Sequence, residues 1–303
     1  MYKTFYNLTR YPFEITPDPS FLFPTTKHNE ALTALYEGVQ RRKGFVVLTG
    51  EVGTGKTLLL RCLMHVFNQR DDTSYAYVFN GRLSSSEFLQ YVLCDFGLPS
   101  SGKNKGELLL ELTNYVVARG RKSLATVLVV DEAHHLSADI LEEIRLLTNL
   151  ETPQEKLLQI LLVGQPELDD KLDSVELRQL KQRIAFRSQL VPLDLHETNG
   201  YIERRLELAG ANSSSSTLFP QETIAVIHRH SRGIPRLINT VCENSLIAAC
   251  EEKMQGVTVD IVEQVATNLR LEATPVDSMD AQEAAKVLLN LHDRLQRRRR
   301  TFL

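Results

Sequence analysis

The sequence lacks several features that would assign a protein to a special class. Its four cysteines are scattered, with neither a close pair of the metal-binding type nor a disulfide framework, which is typical of a reducing cytoplasm. The N-terminal stretch MYKTFYNLTRYPF has no apolar core of signal-peptide length, and no apolar run approaches the roughly 18–20 residues of a membrane span. We therefore expect a soluble, cytoplasmic protein.

A strong charge of either sign is also missing. The formal net charge is −3 over 303 residues, so any contact with nucleic acid or a membrane would have to come from a local patch. No internal repeat is visible. Ordinary hydrophobic and charged contents, 43% and 24%, allow one large globular domain or two modest ones.

Strand and helix patterns alternate through the first two thirds of the chain. Four short apolar runs rich in β-branched residues predict buried strands, at 45–50, 75–79, 124–130 and 157–164. Helical periodicity fills the segments between them. This alternation predicts an α/β base over residues 44–195, in which a parallel sheet is covered by helices on both faces.

The two ends of the chain follow other patterns. Residues 1–43 include a proline-rich stretch at 11–24, YPFEITPDPSFLFP, which predicts an extended lead segment before a first helix. Only helical periods occur over residues 196–271, which predicts a small all-helical domain. Residues 272–303 are interpreted as a linker and a C-terminal helix whose basic end is Arg297–Arg300.

A phosphate-binding loop is predicted by the motif GEVGTGKT. The motif lies between a buried strand and a helix, where glycine-rich backbone and a helix N-terminus direct N–H groups toward phosphate. The lysine should bridge the β- and γ-phosphates of ATP, and the last threonine should ligate Mg²⁺. The predicted nucleotide-binding residues are Gly50, Glu51, Val52, Gly53, Thr54, Gly55, Lys56, Thr57 and Leu58.

The stretch VLVVDEAHHL predicts the catalytic edge of the same site. Asp131 ends a buried strand, where its carboxylate would hold hydrated Mg²⁺, and Glu132 would polarise the attacking water as a general base. His134 and His135 would either sense the state of the nucleotide or simply pack as loop residues. No second ligand pair accompanies them, which argues against a separate metal site.

The letters DEAH also occur in nucleic-acid helicases. That architecture requires a second domain of alternating strands and helices and a Ser-Ala-Thr motif downstream. After Glu132 we find one clear strand followed by helices, and no such motif. A helicase is therefore the least favoured interpretation.

Six motifs together resemble the general secretion pathway protein A (ExeA-like) family of AAA+ ATPases. In chain order they are FYNLTRYPFEITPDPSFLF, GFVVLTGEVGTGKT, VLVVDEAHHL, ILLVGQPEL, LKQRI and GIPRLIN. The resemblance covers roughly residues 1–270. It implies an AAA+ P-loop base with a C-terminal helical lid, and ATPases of transposition and of exosortase-linked surface systems share this module.

The resemblance also implies roles for individual residues. Gln165 matches the sensor-1 position, where a polar side chain contacts the γ-phosphate or the water, and Arg236 matches the sensor-2 arginine of the lid. Arg183 matches an arginine that reaches into the site of a neighbouring subunit, although Arg178 and Arg187 compete for that role. For each of these residues an ordinary turn or solvated helix position is the alternative. In the lead segment, Tyr11–Asp18 resembles the strip that lines the adenine pocket of the family.

The function implied is Mg²⁺-dependent ATP hydrolysis by an oligomeric switch or assembly motor, in a ring or filament, serving a secretion or cell-surface apparatus. The alternative is a DNA-associated regulator of transposition or recombination. Longer family members continue into a membrane span and a cell-wall-binding domain. Residues 1–303 show neither pattern, so we expect a stand-alone motor here. Arg297–Arg300 would bind DNA, anionic lipid or an acidic partner, or would merely be solvated.

Overall fold

The computed structural model describes residues 2–79, 83–211 and 215–271. The predictions for residues 272–303, including the basic end Arg297–Arg300, lie outside the described residues.

A five-stranded parallel sheet forms the base of the molecule. The strand order is β2-β3-β4-β1-β5, so β1 lies between β4 and β5. The bounds are β1 Phe45–Gly50, β2 Thr73–Val78, β3 Ala125–Val130, β4 Leu158–Gly164 and β5 Phe186–Leu190. Four of these strands agree with the sequence-based prediction.

The fifth strand, β5, was not predicted from the sequence. In its sequence, FRSQL, half-buried and exposed positions alternate over the first four residues, and only Leu190 is buried. Both β2 and β5 lie at an edge of the sheet, but the search for continuous apolar runs found only β2, because three of the five residues of β5 are polar. The prediction of a single strand after Glu132 was therefore wrong, although β5 completes the same sheet and adds no second one.

Helices cover both faces of the sheet and continue beyond it. In the base they are α2 Thr26–Gln40, α3 Lys56–Asn68, α4 Ser85–Asp95, α5 Lys105–Gly120, α6 Ala138–Leu147, α7 Glu167–Leu172 and α8 Arg178–Lys181, with a 3-10 turn at Ala133–His135. The C-terminal helices, which we call the lid, are α9 Leu195–Leu208, α10 Ser215–Leu218, α11 Gln221–Ser231, α12 Pro235–Glu251 and α13 Val259–Asn268.

Alternate residues of each strand point into different hydrophobic clusters. Val47 and Val130 belong to the cluster on one face of the sheet, whereas Val46 and Val129 belong to the cluster on the other. This two-residue period is the geometry of a pleated strand. Burial on both faces explains why these strands are continuously apolar.

The lead segment, residues 2–25, packs against the lid. A short helix, α1 Tyr2–Phe5, precedes a 3-10 turn at Pro19–Phe21, so the segment is less extended than predicted. Tyr2, Leu8 and Phe13 are buried in the same hydrophobic cluster as the apolar side chains of the lid helices. The segment thus runs from the lid to α2 on the base.

Within the part of the chain that the structure describes, no helix has the length and apolar character needed to cross a membrane.

Candidate nucleotide-binding site

The predicted phosphate loop connects the end of β1 to the start of α3. Gly53 and Gly55 have left-handed φ angles of 87° and 102°, which turn the chain back on itself with little strain for glycine. The ammonium of Lys56 donates to the carbonyl oxygens of Gly50 at 2.7 Å and Glu51 at 2.9 Å. Lys56 is also the first residue of α3, so the free N–H groups of a helix N-terminus lie near a buried cation, which is an anion-binding arrangement.

Burial and nearby charges act in opposite directions on Lys56. Its side chain is buried, and desolvation lowers the pKa of its ammonium. The carboxylates of Glu132, Asp131 and Glu51 oppose that change, while the charge of Arg236 adds to it. An anion at this point would relieve the loss of solvation, because it would provide the opposite charge next to the buried ammonium.

His28 contacts the backbone of the phosphate loop at Thr54 and was not identified from the sequence. Its Nε2 lies 3.1 Å from the carbonyl oxygen of Thr54, and its Nδ1 lies 2.7 Å from Oγ1 of Thr25. Burial lowers the pKa of the imidazole, so the neutral ring donates to Thr54 and accepts from Thr25. No motif marks this residue; only its place near the start of α2 brings it under the loop.

Asp131 and Thr57 form the predicted metal-binding pair. Oγ1 of Thr57 donates to Oδ2 of Asp131 at 3.0 Å, and the backbone N–H of Glu132 donates to Oδ1 at 2.9 Å. A hydroxyl and a carboxylate beside a phosphate loop are the hard oxygen donors that Mg²⁺ prefers, so these residues fit the ion. Tyr77, on β2, donates to the same Oδ2 at 2.8 Å and was missed by the sequence analysis.

Glu132, His134 and Gln165 lie together beside this pair. Glu132 has a left-handed φ of 53°, which places its carboxylate at the beginning of the 3-10 turn. Its Oε2 is 3.6 Å from Nδ1 of His134, and the amide of Gln165 is 2.9 Å from Nε2 of the same ring. The structure thus joins the predicted base and the predicted sensor-1 residue through a histidine.

The lid meets the phosphate loop at the start of α12. The backbone N–H of Arg236 donates to the carbonyl oxygen of Gly53 at 3.2 Å. A cleft of about 110 Å³ opens between loop, lid and lead segment, and Arg236 lines it together with Lys56 and Glu132. Arg236, predicted on the lid, therefore shares one cleft with the phosphate loop and the predicted base.

Three lid residues that sequence reasoning missed line the same cleft: Tyr201, Arg205 and Asn239. The Tyr201 hydroxyl donates to Oδ1 of Asn239 at 2.9 Å. Arg205 donates to the carbonyl oxygen of Pro12 at 2.7 Å and lies over the Phe21 ring. These contacts fix the lead segment on the lid, and Ile15, Thr16, Pro17 and Asp18 complete the wall.

The three candidate intersubunit arginines occupy different environments. Arg178 is exposed at the start of α8, and the half-buried Arg183 donates to Oγ1 of Thr148 at 2.6 Å. Arg187, on β5, faces the carboxylates of Asp169 and Asp173, each at 3.4 Å. Among the described residues that line the cleft, none of the three arginines occurs.

Comparison with known proteins agrees with this geometry. Residues 39–172 match the family model described as an AAA domain. The Aeropyrum pernix ORC2 protein has a similar fold, with a TM-score of 0.63 and 17% identity over 90% of this chain and 74% of that one. The Thermotoga maritima RuvB Holliday junction branch migration motor gives 0.56 and 17% over 94% and 81%. The chain therefore contains an AAA domain and has the fold of these P-loop proteins.

A closer relationship is found by sequence. General secretion pathway protein A of Aeromonas hydrophila is 42% identical over 250 residues, which is 82% of this chain and 45% of that protein. The chain thus belongs with the ExeA-like AAA+ ATPases, as its six motifs predicted. It spans less than half the length of that relative.

Proposed function

We propose that this chain binds Mg·ATP in the cleft between base and lid and hydrolyses it. The observation that supports this most strongly is the convergence of a phosphate loop, the Thr57–Asp131 pair, Glu132 and Arg236 on one cleft. The ORC2 structure with the similar fold is a complex with ADPNP and ADP, which agrees with an adenine nucleotide.

Each residue has a defined part in this proposal. The loop residues Gly50 to Leu58 bind the phosphates, and Lys56 neutralises the β- and γ-phosphates. Thr57 and Asp131 hold Mg²⁺, which supplies positive charge to the phosphate oxygens. Glu132 accepts the proton of the attacking water, while Gln165 and Arg236 contact the terminal phosphate from the base and the lid.

Replacement of Lys56 by alanine tests nucleotide binding directly. We expect Lys56→Ala to weaken the affinity for a fluorescent ATP analogue at least about 100-fold, because a charge-assisted contact to phosphate is lost. Lys43→Ala is the matched control, since Lys43 is an exposed lysine just before β1. Equal affinity of the two variants, measured by titration, would contradict the site.

We further propose that ATP drives assembly of a homo-oligomer, a ring or a filament, because none of the three candidate arginines is among the described residues that line the cleft of a single chain. Arg183 is the favoured intersubunit arginine. To reach a neighbouring site, Arg183 would give up a hydrogen bond to the neutral hydroxyl of Thr148, whereas Arg187 would give up its contacts with two carboxylates. Losing the neutral partner costs less free energy. Arg178, which is exposed, remains the competitor.

Mixing two inactive variants tests this shared site. Arg183→Ala should lower ATPase activity by about 10³-fold with little change in ATP affinity, the size expected for such an arginine. Adding Glu132→Gln protein, which keeps Arg183, should restore turnover in the Arg183→Ala subunits. A mixture no more active than its separate components would contradict the proposal, and the same experiment with Arg178→Ala and Arg187→Ala identifies the arginine.

The client we propose is a secretion or cell-surface apparatus, because the curated relative is a general secretion pathway protein. The alternative is a DNA-associated regulator of transposition or recombination, for which the four arginines at 297–300 are the specific observation. ATPase activity with and without duplex DNA, read with oligomer size, separates the two. Stimulation by DNA that disappears when residues 297–300 are deleted would favour the alternative.

A further inference from the structure

His134 occupies an unusual position for a residue next to a catalytic pair. Its side chain is only 7% exposed, whereas the next residue, His135, is exposed. The Lys171 ammonium fixes its backbone by donating to the carbonyl oxygens of His134 at 2.6 Å and Leu136 at 2.8 Å. The imidazole is therefore held in place and does not move freely in solvent.

Both ring nitrogens of His134 face the proposed catalytic machinery. Nε2 lies 2.9 Å from Nε2 of Gln165, and Nδ1 lies 3.6 Å from Oε2 of Glu132. The backbone N–H of Gln165 is also 3.4 Å from Nδ1. Burial and the neighbouring His135 lower the pKa of the ring, against the opposing effects of Glu132 and Glu167, so it carries one proton.

One proton on two nitrogens allows only two consistent arrangements. When the Gln165 amide donates to Nε2, the ring proton lies on Nδ1, where it faces the Glu132 carboxylate, and Nδ1 no longer accepts from the backbone N–H of Gln165. When the amide presents its oxygen to Nε2, the ring proton moves to that nitrogen, and Nδ1 can only accept, from the backbone N–H of Gln165. The orientation of the Gln165 amide thus decides whether Glu132 has a histidine donor.

We propose that His134 is a positioning residue that links Gln165 to Glu132 through its tautomer. The proposal rests on the ATPase function proposed above and adds a regulatory step at the same site. While the amide N–H of Gln165 faces His134, the Nδ1–H of the ring faces the Glu132 carboxylate across 3.6 Å and stabilises its negative charge. When that N–H donates to a terminal phosphate oxygen instead, the tautomer changes, and Glu132 loses this donor and becomes a stronger base toward water.

A spectroscopic experiment tests this link without measuring turnover. Long-range ¹H–¹⁵N spectra of protein with ¹⁵N-labelled histidine report the tautomer of each ring, and His134→Gln assigns the signal. We expect His134 to carry its proton on Nδ1 with Mg·ADP and on Nε2 with Mg·ADPNP. The exposed His65, in the last turn of α3, provides the control. The same His134 tautomer in both complexes would overturn the proposal.

Single and double substitutions provide the kinetic test. His134→Ala should lower kcat about tenfold or more with nucleotide affinity nearly unchanged, whereas His65→Ala, at an exposed position in the last turn of α3, should stay within about twofold of the wild type. Gln165→Ala in the His134→Ala background should cost much less than Gln165→Ala alone, because the two residues act as a unit. Equal kcat for His134→Ala and His65→Ala, or additive effects of the His134 and Gln165 substitutions, would overturn the proposal.

Failure of the link is distinguishable from failure of the ATPase proposal. A wild-type protein that binds no ADPNP in the titration would contradict the function itself. A wild-type protein that binds and hydrolyses ATP, with His134 insensitive to the terminal phosphate, would contradict only the role of His134.

Discussion

At the scale of residues, Tyr77 and His28 hold the site from outside its motifs. Tyr77 donates to Asp131 from a strand 54 positions earlier in the chain, and His28 reaches Thr54 across 26 positions. The motif residues could be predicted because their spacing is local and follows from the backbone geometry of a strand, loop and helix. The supporting residues could not, because an isolated tyrosine or histidine carries no signal until the fold brings it close.

His28 gives a prediction about stability and pH. Its pKa is lowered by burial in the folded protein, so the unfolded chain takes up a proton more readily below about pH 6.5. The free energy of unfolding should therefore decrease as the pH falls from 7 toward 5.5, by at most about 1.4 kcal/mol per pH unit for this group.

Urea unfolding at a series of pH values measures the effect. His28→Gln should flatten the decrease, while His134 and His228, whose pKa values are also lowered by burial, leave a residual slope. The window lies above the ordinary pKa of the carboxylates, so their protonation contributes little. An unchanged slope in His28→Gln would show that the ring is not buried in its neutral form.

At the scale of elements, the lead segment acts as a connection between lid and base. Phe13 is fully buried against the lid, edge-on to Phe219, whereas the carbonyl oxygen of Pro17 accepts from Arg61 of α3 in the base at 2.6 Å. The proline pattern correctly suggested a non-helical course for most of the segment. It could not indicate which body the aromatics pack against, since that contact is about 200 residues away in sequence.

Two substitutions in this segment should differ in their effect on stability. Phe13→Ala removes a ring that is 0% exposed and should lower the free energy of unfolding by about 3–5 kcal/mol. Ile15→Ala, two residues further on and 60% exposed, should change it by less than about 0.5 kcal/mol. Denaturant unfolding of both variants checks this, and equal losses would mean that the segment is not anchored on the lid.

At the scale of the whole molecule, the site is composed of three parts that are distant in sequence: the base, the lid and the lead segment. The sheet and the helical lid could be predicted from apolar runs and helical periods, and the phosphate loop from its motif. The strand β5 and the lid residues Tyr201, Arg205 and Asn239 were missed, since three of the five residues of β5 are polar and these lid residues look like ordinary helix positions. The limits of the domains remain predictions.

The division of the cleft between base and lid has a mechanical consequence. The contact between Gly53 and Arg236 joins the phosphate loop directly to the start of α12. A change in the loop on binding phosphate would therefore be transmitted to the lid through the hydrogen bond between Gly53 and Arg236 and through the side chain of Arg236. This route is short enough to connect nucleotide state with the contacts between subunits that we propose.

The measurement that tests the central proposal most directly is hydrolysis of bound ATP in single turnover, with the oligomer assembled and the site saturated. Glu132→Gln should bind Mg·ATP as tightly as the wild type and hydrolyse it at least about 100-fold more slowly, because the general base is lost. Glu222→Gln, at an exposed position of the lid, should hydrolyse at the wild-type rate. Undiminished hydrolysis by Glu132→Gln would contradict the account.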